Sequence, residues 1–222
     1  MGIAFFDLDK TLIAVNSAKL WVRAELRAGH IGRLQALVAA GWMVRYGLGA
    51  ARLEDAVRSA VAALEGEDEA TLRARTHAFF DAEIARLVRP GANHALAEHR
   101  AAGEPCVLLT SSSAYMSEKT VALLELDAAL CNTFEVRDGV FTGKAIEPLC
   151  FGPGKVDHAR RYASARGVDL ADCAFYTDSA SDSPLLELVG RPRIVDPDPR
   201  LKRRARKRGW PEVDWGTPPG EL

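Results

Sequence analysis

Four aspartates, a lysine and a short run of hydroxyls are the residues of this chain whose types and spacing bear on chemistry. Asp7 and Asp9 stand in Asp7-Leu8-Asp9-Lys10-Thr11-Leu12, directly after the apolar run Ile3-Ala4-Phe5-Phe6. Acids this close at the mouth of a buried strand raise each other's pKa, and a divalent cation between them relieves the repulsion. Oxygen-only ligands favour Mg²⁺ over zinc or copper. The same pair would also suit a solvated turn that caps the next helix. A second pair, Asp178 and Asp182, lies in Thr177-Asp178-Ser179-Ala180-Ser181-Asp182. A spacing of four puts both on one side of a helical turn, and Pro184 suits the first turn of a helix.

Between the acid pairs lie two stretches suited to an anion. Cys106-Val107-Leu108-Leu109 ends in Thr110, Ser111, Ser112 and Ser113. Hydroxyls at a strand end that leads into a helix converge with helix N–H groups on a phosphate, though serine runs also cap helices. Phe151-Gly152-Pro153-Gly154-Lys155 places a lysine at a glycine-flanked helix start. A nucleotide-binding P-loop is excluded, because its pattern needs glycine where Leu149 stands and a hydroxyl where Val156 stands. Lys155 is then either a surface residue or a phosphoryl-neutralising one.

The elements that must position these groups follow an α/β rhythm. Ile3–Phe6, Cys106–Leu109 and Cys173–Tyr176 read as strands buried on both faces of a parallel sheet, and Arg193–Val195, closed by Asp196-Pro197-Asp198-Pro199, reads as one more. The carboxyl ends of such strands lie together, so distant residues share one crevice. Helices are expected over Ala92–Ala102, from Tyr115, and over Val156–Arg166. Phe134–Val136, Asp138-Gly139 and Val140–Thr142 signal a hairpin projecting from the sheet. Val15 to Ala82 reads as several alanine-rich helices. Its most apolar part, Leu34–Ala50, contains Trp42, Met43 and Tyr46, but Gln35 and Arg45 interrupt it and it is too short to span a membrane. It is either a packed helix or an apolar wall at a membrane surface. Glu65–Glu69 reads as a solvated helix start.

Composition narrows the class. The 222 residues are 48% apolar and 27% charged, which excludes disorder and fibrous repeats, and the net charge of −1 gives no general attraction to nucleic acid. Cys106, Cys131, Cys150 and Cys173 show no C-x-x-C spacing, and the five histidines form no metal-ligand pattern. Acids from Asp7 onward disfavour a secretory signal, so a cytoplasmic protein with reduced thiols is expected. The basic stretch Lys202–Arg208 reads as the solvated face of a last helix, with no aromatic residues interleaved for nucleic acid.

Taken in order, D-x-D-x-T-L, a strand-end hydroxyl, a lysine and D-x-x-x-D resemble the haloacid dehalogenase superfamily of phosphohydrolases, specifically its phosphoserine-phosphatase-like subfamily. The resemblance covers nearly the whole chain. It implies a Rossmann-like, doubly wound parallel sheet core at 1–14 and 89–222, a helical cap at 15–88 and a small hairpin insertion. It further implies that Asp7 is the nucleophile, that Asp9 is the general acid and then base, and that Mg²⁺ is held by Asp7, the main-chain carbonyl of Asp9, Asp178 and Asp182. Thr110 or Ser111, with Lys155, would hold the phosphoryl oxygens. The implied activity is Mg²⁺-dependent hydrolysis of a small phosphorylated metabolite through an aspartyl-phosphate. Transfer to an alcohol acceptor or a membrane-recruited lipid-phosphate activity are the alternatives. Subfamily members that hydrolyse phosphoserine usually carry glutamate where Asn16 stands and a glycine pair where Ser111 and Ser112 stand, which marks Asn16 as a candidate specificity position.

Overall fold

The computed structural model describes residues 2–32, 34, 37, 38, 41 and 53–218. Six parallel strands make the central sheet, and they are labelled in chain order: β1 (Ala4–Phe6), β2 (Cys106–Ser113), β3 (Ala128–Asn132), β6 (Ala174–Thr177), β7 (Arg191–Val195) and β8 (Glu212–Val213). Their spatial order is β3-β2-β1-β6-β7-β8. The order reverses at β1, between β2 and β6, which is where open α/β sheets form their crevice. The fold is α/β, as the sequence predicts. Edge strands β3 and β8 are additions to that expectation: β3 is only half buried along most of its length, so no continuous apolar run announces it.

Alternation along β1 explains why the sheet is covered on both faces. Ala4 and Phe6 pack with Leu96, Cys106, Leu108 and Tyr176, whereas Ile3 and Phe5 pack with Val107, Leu109, Val156 and Phe175. Helices Pro90–Ala101 and Ala114–Leu124 contribute to the first layer, and helices Pro153–Ser164 and Pro199–Arg208 to the second. Phe5 and Phe6 are fully buried, each stabilising the fold by roughly 2–3 kcal/mol relative to exposure. That burial seats the strand whose next residue is Asp7.

Between β1 and β2 the regular elements among the described residues are helical, including helices Ser17–Ala28, Leu53–Ala62 and Glu69–Phe79, the last followed by one π-helical turn, Phe80–Ile84. It leaves and rejoins the sheet at one crossing. Ile13 bridges Val88, the Ala14 amide donates to the Leu87 carbonyl (3.0 Å), and the Arg89 amide donates to that of Leu12 (2.9 Å). Of the apolar stretch 34–50, Trp42, Met43, Arg45 and Tyr46 lie outside the described residues, as does Gln35. Leu34, Leu37 and Val38 are exposed, and no helix among the described residues is long and apolar enough to cross a membrane.

The hairpin β4 (Phe134–Arg137) and β5 (Val140–Ala145) does more than project from the sheet. It docks onto the helical segment. The Gly66 amide donates to Phe141 O (3.0 Å), the Phe141 amide to Glu67 O (3.0 Å) and the Glu69 amide to Gly139 O (2.8 Å). Leu72, Tyr115 and Phe141 close a small core beneath it. Glu65–Glu69 therefore starts a helix, as expected, with Asp68 accepting from the Thr71 amide at 2.7 Å, and its backbone also receives the hairpin.

One polar network lies within the first layer, away from the acids. His99 Nδ1 meets Glu104 Oε2 at 2.6 Å and His99 Nε2 meets the Tyr176 hydroxyl at 2.9 Å, while Arg191 donates to both Glu104 oxygens at 2.6 and 3.1 Å. Burial opposes the charge on Glu104, but hydrogen bonds from Arg191 and His99 outweigh it and hold its carboxyl below the ordinary value. A depressed carboxyl pKa contributes stability above the unfolded-state value that is lost as pH falls through the folded-state value. Glu104→Gln is expected to lose about 2 kcal/mol at neutral pH. In urea denaturation that deficit should shrink as the solution is taken from neutral to about pH 3; a deficit independent of pH would show that the ionic contacts are not its source.

Candidate active site

Asp7 follows β1 directly, and its amide continues the ladder by donating to Tyr176 O at 3.0 Å. The chain then curls back on itself. Leu12 N reaches Asp7 O (3.3 Å), Ile13 N reaches Leu8 O (3.1 Å) and Lys10 N reaches Val15 O (3.0 Å), with Lys10 in the left-handed region at φ 57°. This curl leaves Asp9 against the start of helix Ser17–Ala28, where its Oδ1 accepts from the Ser17 amide at 3.0 Å. Asp9 and its neighbour Asn16 thus have different duties. Asn16 is the N-cap of that helix, its side-chain oxygen accepting from the Lys19 amide at 3.0 Å.

Lys155 is delivered by helix Pro153–Ser164, whose start explains the glycines before it. Gly152 takes φ 50° with ψ −119°, and a Cβ on Gly154 would lie 1.9 Å from the Leu149 carbonyl oxygen, so only glycine fits there. The surface alternative for Lys155 is corrected by burial, since the residue is 2% exposed. Its ammonium donates to Asp7 Oδ1 at 2.9 Å and to Asp182 Oδ2 at 2.8 Å, and it lies 5.6 Å from the centre of the Phe175 ring. Thr177, the last residue of β6, donates its hydroxyl to the same Asp182 oxygen at 2.7 Å. Thr177 and Ser17 are site residues that the sequence reading passed over.

Electrostatics make this cluster unusual. Burial, reinforced by Asp182 and Asp9 and opposed by Lys155, pushes Asp7 up to about 7. Burial, with Asp7 and Asp182 adding like charge, raises Asp178 well above the carboxylate range. Asp9 is raised by burial too, with hydrogen bonds from Ser17 working against the shift. For Lys155 burial disfavours the charge, yet Asp182 and Asp7 outweigh it and keep the ammonium protonated. Four acids share a small volume with a single buried lysine.

The donor set fits a hard divalent cation. Asp7, Asp178 and Asp182 offer only oxygen, the like-charge crowding is of the kind such a cation relieves, and Asp182 Oδ1 is buried without a hydrogen-bond partner. Among the described residues no group of three His, Cys, Asp or Glu side chains forms a ready-made cage.

The hydroxyl run divides by position. Thr110 lies on β2 two residues beyond Leu108, which registers with Phe6, and is buried with its Oγ1 accepting from the Ser112 amide at 3.2 Å. Ser111 is half-buried and its carbonyl accepts from Asn132 Nδ2 at 2.6 Å. Ser113 caps helix Ala114–Leu124. Asp7, Lys155, Asp182 and Thr177 are thus directly bonded, Asp9 and Asp178 flank them, and Thr110 and Ser111 lie in the carboxyl half of the adjacent strand β2.

A carboxylate beside a buried ammonium, with further acids at the carboxyl ends of parallel strands, is an arrangement suited to holding a phosphoryl group. A family model described as haloacid dehalogenase-like hydrolase matches residues 4–187, and the chain belongs to that family. It is 33% identical over 214 residues to a phosphoserine phosphatase of Mycobacterium tuberculosis, a match spanning 93% of this chain and 68% of that relative. It is 27% identical over 220 residues to a histidinol-phosphatase of Neisseria meningitidis, spanning 96% and 99%. A solved Bordetella pertussis protein of unknown function superposes with TM-score 0.87 at 30% identity, covering 96% of this chain and 98% of that one.

Lys155→Met would leave Asp7 and Asp182 buried without their counter-charge. The variant is expected to be destabilised by about 3 kcal/mol in urea denaturation. Unchanged stability would mean that the ammonium does not hold these acids in place.

Proposed function

We propose that this enzyme is a Mg²⁺-dependent phosphatase of small phosphomonoesters that works through an aspartyl-phosphate on Asp7. The observation that carries the reading is the buried contact of Lys155 with both Asp7 and Asp182. Mg²⁺ would be held by Asp7, the main-chain carbonyl of Asp9 and Asp178, with Asp182 orienting that set. When bound it supplies positive charge against the phosphoryl oxygens.

Lys155 favours the ionised form of Asp7 against its burial and aligns it, so that the carboxylate oxygen not held by the ammonium attacks phosphorus. As that bond forms, the bond from phosphorus to the substrate oxygen breaks, and Asp9 donates its proton to the departing alkoxide. Burial raises Asp9, which favours its holding a proton beforehand. Asp9 then takes a proton from water as the water oxygen attacks phosphorus, releasing inorganic phosphate and restoring Asp7. The Thr110 hydroxyl and Lys155 are assigned to the phosphoryl oxygens, with Ser111 the alternative donor. Positions 15–88 are read as a cap over a core formed by 1–14 and 89–222, a division supported by the single crossing of Ile13 and Val88.

Substrate choice is assigned to this cap. Asn16 puts an amide at the candidate specificity position, and its oxygen is engaged in capping. The substrate is a small phosphorylated metabolite, and phosphoserine suits the position less well because its ammonium would meet no carboxylate there. Free cysteines, three of them buried, support a reducing compartment such as the cytoplasm.

Asp7→Asn is expected to lower p-nitrophenyl phosphate turnover by about 10⁴-fold or more while circular dichroism stays native. Ordinary turnover would remove Asp7 from the nucleophile role. Chelation of the wild-type enzyme should abolish hydrolysis, and added Mg²⁺ should restore it; full activity in chelator would contradict the metal assignment.

A further inference from the structure

Asp198 opens helix Pro199–Arg208, and its contacts exceed what a helix cap requires. Its Oδ1 accepts from the amides of Arg200 (2.7 Å) and Leu201 (2.9 Å), which completes the cap. Its Oδ2 faces elsewhere, accepting from the amide of Ala180 at 2.7 Å. Its own amide donates to the carbonyl of Asp178 at 2.8 Å. Two of these four contacts thus grip the loop that carries Asp178 and Asp182. Serine or asparagine caps a helix as well as aspartate does, but only a carboxylate offers two acceptor oxygens for two directions at once.

The turn holding Asp198 is stiff on both sides. Pro197 and Pro199 flank it, fixing their own backbone angles and restricting the residue before each. Asp196 sits at φ 41° and its carboxylate pairs with Arg89 at 2.8 Å. Arg89 is buried and directly follows the Ile13–Val88 crossing. Asp178, by contrast, lies just past the end of β6, beyond the ladder with β7, whose last registered pair is Thr177 with Ile194.

We propose that Asp198 is a positioning residue for the metal-binding loop: it sets the backbone at Asp178 and Ala180 so that the Asp178 carboxylate meets the narrow geometry Mg²⁺ demands. This rests on the reading of Asp178 as a Mg²⁺ ligand. Asp198 is assigned to act through the loop, by its contacts with Ala180 and Asp178.

The test is calorimetric titration of Mg²⁺ into the substrate-free protein, beside thermal melting, for wild type, Asp198→Ser, Asp198→Asn and Asp198→Ala. Serine and asparagine keep the helix cap, so both should melt near wild type and above alanine. All three should nevertheless bind Mg²⁺ about 10- to 100-fold more weakly than wild type. Asp198→Ser or Asp198→Asn with native melting and wild-type Mg²⁺ affinity would overturn the proposal while leaving the metal assignment standing. Absence of Mg²⁺ binding by the wild type would overturn both.

Discussion

A protonated lysine in the interior, shared between two carboxylates from distant parts of the chain, is the constraint on which this structure turns. Lys155, Asp7 and Asp182 are each nearly inaccessible to water. Charges in that setting persist only when paired and hydrogen-bonded, so the ends of β1, of β6 and of the helix bearing Lys155 must all arrive together. Deep burial also explains why the acids remain frustrated. One ammonium cannot compensate Asp7, Asp178 and Asp182, and the upward shifts at Asp7 and Asp178 come first from burial and then from the repulsion that remains.

The sheet is arranged to make this convergence possible. β1 is short and central, with Phe5 and Phe6 buried on opposite faces, and its neighbours β2 and β6 deliver Thr110 and Thr177 to the same end. Only beyond the last apolar residue of each strand does the chain become polar. The helical segment departs from that end and returns to it, with Ser17 at its start holding Asp9. Asp9 and the start of the helical segment are thereby tied together. The hairpin braces the helical segment from the other side through the backbone of 66–69.

Much of this was legible in the sequence, for physical reasons. Strands buried on both faces leave continuous apolar runs, and acids placed immediately after such runs have few purely structural uses. Partly exposed strands such as Ala128–Asn132 leave no such trace. Single hydroxyls were equally silent: Thr177 and Ser17 resemble any strand end or helix start, and their value lies in the acids they meet. Asp198 looked like a turn residue because nothing local shows where its second oxygen points. Asn16, marked for specificity by resemblance, has a capping role that follows from its place before Ser17. The docking of the hairpin onto the helical segment depends on tertiary pairing that no local pattern encodes.

The central claim is that Asp7 itself becomes phosphorylated. Acid-quenching the enzyme during turnover, reducing it with borohydride and mapping the product by peptide mass spectrometry reads this directly, since an aspartyl-phosphate is converted to homoserine. The account predicts homoserine at position 7 and at no other aspartate. Homoserine at Asp9 or Asp178, or none in an enzyme quenched at full turnover, would contradict it.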